Sequence, residues 1–159
     1  MNRILLLIAA WLCCGFGLAA ETAIRTTGAA KPDYDDALAA SLGADDYGMR
    51  SYVLAILRTG PTPVPAGEER TAMLQGHFAN MKRLAAEGKL VLAGPLDGVD
   101  GRRGIFVLNV ATIEEARRLV ATDPVIEKGE MVADLHTYYG SAALMTVNQL
   151  HEKIAKKSP

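Results

Sequence analysis

The 159-residue chain is poor in cysteine, histidine, aromatic side chains and net charge. Its two cysteines, Cys13 and Cys14, lie in the first 20 residues with the only tryptophan, Trp11. Beyond residue 20 there is no cysteine, which excludes disulfides, Cys-ligated zinc and thiol catalysis from the rest. The net charge is −1, with 17 basic and 18 acidic groups, where a nucleic-acid binder shows a basic excess. No phosphate loop, dinucleotide fingerprint or Ser-His-Asp motif is present, so no cofactor is expected. The histidines, His77, His136 and His151, have no local ligand spacing, so a metal site would need long-range assembly and none is expected. Asp97, Asp100 and Gly101 share a loop, but the closing glutamate of a calcium loop is missing.

The N-terminus is built differently. Arg3 precedes an apolar run from Ile4 to Cys14, followed by Gly15, Gly17, Ala19 and Ala20. That is the charged, apolar and small-residue order of a secretory signal peptide, expected over residues 1–20. The run is short of the ~20 apolar residues that span a bilayer, although Phe16 and Leu18 leave an uncleaved anchor as the other reading. Trp11 and Leu12 precede the cysteines, so neither follows a lipobox. The expected location is therefore periplasmic or secreted, in a bacterium, with no membrane association after cleavage. Residues 21–50 are rich in Asp, Thr and Ala without a long periodic stretch and read as a flexible leader, with a short helix at Ala37–Leu42 as an alternative.

Ordered structure is expected over residues 51–140. Tyr52 to Leu57 is a short, partly β-branched apolar run and predicts a buried strand. Gly60 to Gly67 holds three prolines and predicts a loop. From Glu69 to Glu87 apolar residues recur at 73, 74, 77/78, 81, 84 and 85, one face of a helix, and Gly88 stands where its C-cap would be. Leu90–Ala93 and Gly104–Val110 predict two strands around a hairpin loop at Asp97–Gly101. Thr112 with Glu115 makes a capping box for a second helix, which Asp123-Pro124 should end. Met131–Tyr139 is a fourth strand, and residues 141–159 are a helix or a tail. The order βαββαβ is the split βαβ, ferredoxin-like α+β arrangement. Its sheet carries helices on one face only, and a second copy is the economical cover for the other, so a homodimer is expected.

Two candidate residues carry most of the chemistry. His77 shares its helix face with Met73 and Met81, so it is either a satisfied core histidine or a base at the core edge. Asp123 is either a plain helix-stop residue or the partner of His77, since both helices pack on one sheet face. A carboxylate on one imidazole nitrogen fixes the tautomer and makes the other nitrogen a general base near neutral pH. His136 and Asp134 alternate with Val132 and Tyr138 on the last strand and read as a solvated or dimer-facing stripe. Gly94-Pro95 is turn chemistry or a place where backbone approaches a ligand.

Glu69-Arg70, Leu74-Gln75-x-His77 and the run Leu84-Ala85-Ala86-Glu87-Gly88-Lys89-Leu90-Val91-Leu92-Ala93-Gly94-Pro95-Leu96 are followed by Arg103 to Leu108, Glu114-Glu115-Ala116, Asp123-Pro124 and Gly129. In that order they resemble the YciI-like (YCII-related) family, over roughly residues 51–140. The resemblance implies a ferredoxin-like fold of the dimeric α/β-barrel type and an active site built on a His–Asp pair, here His77 and Asp123. One relative is similar to a dehydrochlorinase acting on chlorinated hydroxyquinols, which is proton-abstraction chemistry. Some members carry an arginine three residues before the histidine, where this chain has Leu74. Arg70 is the candidate replacement, and Arg70, Gly94 and Pro95 are the expected substrate-binding residues. The implied activity is elimination or isomerisation of a small organic molecule. A non-catalytic periplasmic ligand-binding or interaction module with a structural His–Asp pair is the alternative.

Overall fold

A computed structural model describes residues 33–157. The expected signal peptide, and the expected leader up to residue 32, lie outside the described residues. From Asp36 the segment read as leader is regular structure. Helix α1, Asp36–Leu42, is N-capped by the Asp35 carboxylate, which accepts from Leu38 N at 2.9 Å. The Arg50 guanidinium donates to Leu42 O at 2.7 Å and ties the end of α1 to the first strand. The helix matches the alternative reading at Ala37–Leu42; it buries no residue, so the sequence shows no apolar stripe to favour it over a leader.

Strand β1, Met49–Thr59, is followed by helix α2, Glu68–Ala86, and strand β2, Leu90–Pro95. Strand β3, Arg102–Leu108, leads through Thr112 into helix α3, Ile113–Val120. A one-turn helix α4, Pro124–Glu127, precedes strand β4, Met131–Ser141, and helix α5, Val147–Ile154, closes the order. The sheet order is β2-β3-β1-β4, with all three pairings antiparallel. This is the expected α+β, ferredoxin-like arrangement.

Local signals account for most boundaries. Thr112 Oγ1 accepts from Glu115 N at 3.1 Å, as the capping box predicts. Helix α2 ends on Glu87, and Gly88 follows with φ +66. Gly88 N donates to Ala85 O and Lys89 N to Leu84 O, a pattern that needs the left-handed residue glycine supplies. Asp123-Pro124 does more than stop a helix. Helix α3 ends three residues earlier, and Asp123 caps α4, with Pro124 at the first helical position, where a missing N–H costs nothing.

Alternation along the strands divides the side chains between two faces. Val53, Ala55 and Leu57 of β1, with Phe106 and Leu108 of β3, pack against Leu84 of α2 and Ala116 and Val120 of α3. The opposite face carries Tyr52, Val91 and Val107. The chain itself covers part of this face: after β4 a 3-10 turn, Ala142–Thr146, lays Leu144 and Met145 against these residues. Asn148 Nδ2 fastens the following helix to Leu90 O at 2.7 Å. A second copy is therefore not the sole cover for this face. Leu54, Ile56, Leu92 and Ile105 on the same face stay half-buried.

Candidate active site

The buried stripe of α2 runs Met73, His77, Asn80, Leu84, at helical spacings of four, three and four. Two polar residues therefore stand in the middle of an otherwise apolar seam. His77 Nδ1 lies 2.9 Å from Asp123 Oδ1 and 2.8 Å from Oδ2. Asp123 is fully buried. Its Oδ1 also accepts from Val125 N at 3.2 Å, and its Oδ2 lies 3.5 Å from Asn80 Nδ2. A carboxylate only accepts, so the hydrogen between the pair sits on Nδ1. In the neutral ring that leaves the lone pair on Nε2. Nε2 has no partner among the described residues, and it is not sealed, because the one fully buried side-chain nitrogen lacking a partner there is Arg50 Nε. The His77 side chain keeps 12% of its surface exposed.

Packing sets the ring's attitude. Phe106 of β3 lies beneath it, ring centroids 6.0 Å apart at 22°, and Phe78 leans on it at 5.4 Å and 56°. Gly76 decides how close α2 comes to α4. A Cβ at that position would stand 2.9 Å from Pro124 Cγ. Neither Gly76 nor Asn80 was singled out from the sequence. Asn80 carried a usable signal, since it lies three residues after His77 and four before Leu84 on the buried stripe. Gly76 carried none, because its neighbour Pro124 is distant in the chain.

None of the other expected site residues hydrogen-bonds to His77 or Asp123. Arg70 lies seven residues before His77, two turns or about 10 Å along the axis. Its guanidinium donates to Val64 O at 2.8 Å and to Glu130 Oε1 at 2.6 Å. Glu130 is 4% exposed, and its other oxygen accepts from Val64 N at 2.6 Å. The Val64 N–H bond, with the Arg70 guanidinium, holds this carboxyl below its ordinary range against the opposing effect of burial. A buried carboxylate needs such partners, so Arg70 serves a clamp between the Gly60–Gly67 loop and β4. Gly94 and Pro95 lie on β2 opposite Ile105 and Gly104. Pro95, opposite Gly104, falls by alternation on the same face as Phe106, whereas Gly94 shares the face of Ile105, the one turned away from Phe106 and His77. Asp134 and His136 also lie on that far face. Asp134 is bound by Arg58, whose hydrogen bonds hold its carboxyl below the ordinary range. Among the described residues no three His, Cys, Asp or Glu side chains gather as metal donors, and no helix is long and apolar enough to cross a membrane.

Two cavities are lined by other residues. One of about 590 Å³ is bordered by Arg50, Lys89, Asn109, Glu115 and Tyr139. An apolar one of about 280 Å³ lies between α3, α4 and β4. His77 borders neither.

A four-stranded antiparallel sheet with α2 and α3 packed on one face defines a ferredoxin-like domain, and the His–Asp contact between α2 and α4 is its candidate site among the described residues. The chain belongs to the YCII-related domain family, whose model matches residues 51–135. No curated protein matches the chain. Among solved structures it is similar to 5-chloro-2-hydroxyhydroquinone dehydrochlorinase from Burkholderia phenoliruptrix AC1100, determined in complex with 2,5-dihydroxybenzoquinone. The two are 19% identical over 53% of this chain and 90% of that one, with a TM-score of 0.38.

Proposed function

We propose that this YCII-related protein is a small-molecule enzyme in which His77 acts as general base and Asp123 orients it. The observation that carries this reading is the division of labour between the two ring nitrogens. Nδ1 is held by a fully buried carboxylate, whereas Nε2 has no partner among the described residues and is not fully buried. One base without a nucleophile fits proton abstraction from carbon, followed by elimination or by return of the proton elsewhere as isomerisation. No cofactor enters this chemistry. The test is deuterium wash-in. A panel of small organic molecules with activated C–H bonds is incubated with the protein in D2O and followed by proton NMR. His77 takes the C–H proton and solvent returns a deuteron, so at least one compound should lose its C–H signal with the natural protein and keep it with His77→Ala.

A second reading is a non-catalytic ligand-binding or interaction module in which the pair only satisfies two polar groups. The small exposure of the ring, and its absence from both cavities, favour that reading. Ligand-induced shifts around His77 without any wash-in would decide for it.

The same proposal includes a homodimer, formed over the half-buried Leu54, Ile56, Leu92 and Ile105, and export to the periplasm or medium of a bacterium. The Arg3, apolar-run and Ala19-Ala20 order supports export. Intact-mass measurement of protein from its native cells should give an N-terminus at Ala20 or Glu21. Cytoplasmic material retaining Met1 to Ala19 would contradict it.

A further inference from the structure

The geometry points to Asn80 as a positioning residue for the His77–Asp123 pair, held in its working orientation by Arg83. The inference rests on the reading of His77 as a base and adds what keeps that base aligned.

Asn80 is 8% exposed and sits on the apolar seam of α2, where a polar group is costly unless bonded. Its two ends have unequal partners. Oδ1 accepts from Arg83 Nη2 at 2.8 Å and has Thr122 Oγ1 at 3.0 Å. Arg83 Nη2 also reaches Thr122 Oγ1 at 3.1 Å, and the single hydrogen of that hydroxyl has a nearer acceptor in Leu119 O at 2.7 Å, so the guanidinium is the donor that marks the amide oxygen. A guanidinium has no acceptor, which fixes the oxygen toward Arg83 and the amide NH2 toward the protein interior. There its one partner among the described residues is Asp123 Oδ2, at 3.5 Å. A flipped amide would set oxygen against carboxylate and NH2 against guanidinium. Arg83 thus forbids the flip from the surface, where its side chain is 46% exposed and also binds Glu87 Oε1 at 2.8 Å.

The consequence is felt at Asp123. Val125 N anchors Oδ1, and Asn80 supplies the matching donor to Oδ2. With both in place a swing of the carboxylate about its last torsion must give up a donor contact on each oxygen, which favours the orientation that keeps both oxygens on His77 Nδ1. Without Asn80, only one oxygen keeps a donor besides the histidine. The contact is long in the free protein, as catalytic hydrogen bonds often are before substrate binds.

The test follows the His77 Nδ1 proton by NMR in the 15N-labelled protein, using Asn80→Ala, Arg83→Met, Arg83→Lys and Glu87→Gln. In the natural protein this proton should be seen on Nδ1 and exchange slowly with water. Its exchange should quicken several-fold to about tenfold in Asn80→Ala, the range expected when one hydrogen bond of ordinary net worth is lost. Arg83→Met should move it in the same direction, Arg83→Lys should restore it in part, and Glu87→Gln should leave it unchanged. Any wash-in activity should lose kcat with little change in KM. Arg83 is exposed enough that its variants fold, so the test survives if Asn80→Ala does not. A proton unaltered in folded Arg83→Met and Asn80→Ala would overturn the positioning role and leave the base reading standing. A natural protein with no hydrogen on Nδ1 would instead overturn the base reading.

Discussion

His77 Nδ1 lies 2.8 Å from Asp123 Oδ2 although 46 residues separate them, and the same carboxylate caps α4 through Val125 N. One side chain thereby fixes both a backbone turn and an imidazole. Asp123→Asn separates the two roles. The amide oxygen can still cap α4, while the amide NH2 faces Nδ1 and turns it into an acceptor. The hydrogen then moves to Nε2, the atom that must accept a proton. We expect a folded variant with the opposite tautomer by 15N NMR and wash-in slowed by roughly 10²–10⁴-fold, the usual worth of general-base catalysis. Asp123→Ala should cost about 1–3 kcal/mol of stability, because Val125 N–H and His77 Nδ1 both lose their acceptor.

Gly76→Ala sets helix propensity against packing. Alanine gains about 1 kcal/mol over glycine inside a helix. Its Cβ would stand 2.9 Å from the stiff Pro124 ring, and relieving such overlap costs roughly 1–3 kcal/mol. The overlap should win. Denaturant titration should show net destabilisation, and the Nδ1 proton of His77 should exchange faster as α2 and α4 separate.

The Glu130 clamp predicts acid sensitivity. This carboxyl titrates below its ordinary value of 4.5 in the folded protein, chiefly through the Val64 N–H bond. A depressed carboxyl contributes stability that is full above the unfolded value and is lost as pH falls through it toward the folded one. Thermal midpoints should therefore drop between about pH 5 and pH 3, and drop less steeply in Glu130→Gln. At neutral pH that variant should be weaker by roughly 1–3 kcal/mol, because Arg70 and Val64 N lose a charged acceptor. Equal slopes for the two proteins would exclude the clamp as a source of acid sensitivity.

The open sheet face predicts the assembly. Burial of apolar surface is worth ~25 cal/mol per Å², which favours covering Leu54, Ile56, Leu92 and Ile105 with a second copy. Light scattering at micromolar concentration should give a dimer. Ile56→Lys should give a monomer whose His77–Asp123 pair is intact, since Ile56 faces away from the helices. A monomer in the natural protein would mean that Leu144 and Met145 cover enough of the face.

By itself the sequence determined the order of elements and most of their ends. Those are local matters: the apolar, partly β-branched run Tyr52–Leu57, the capping box of Thr112 and Glu115, the glycine after α2. It also named His77 and Asp123, through helical spacing, the Asp-Pro step and a family resemblance. Tertiary structure alone decided which neighbours those residues would have. That Gly76 admits Pro124, that the Asn80 NH2 faces Asp123, and that Arg70 turns to Glu130 are contacts between segments far apart in the chain. No local propensity encodes them, because they exist only once α2 and α4 have packed on the same sheet face. The cover that Leu144 and Met145 give to Tyr52 is of the same kind: an unremarkable segment acquires its role from an apolar face exposed elsewhere.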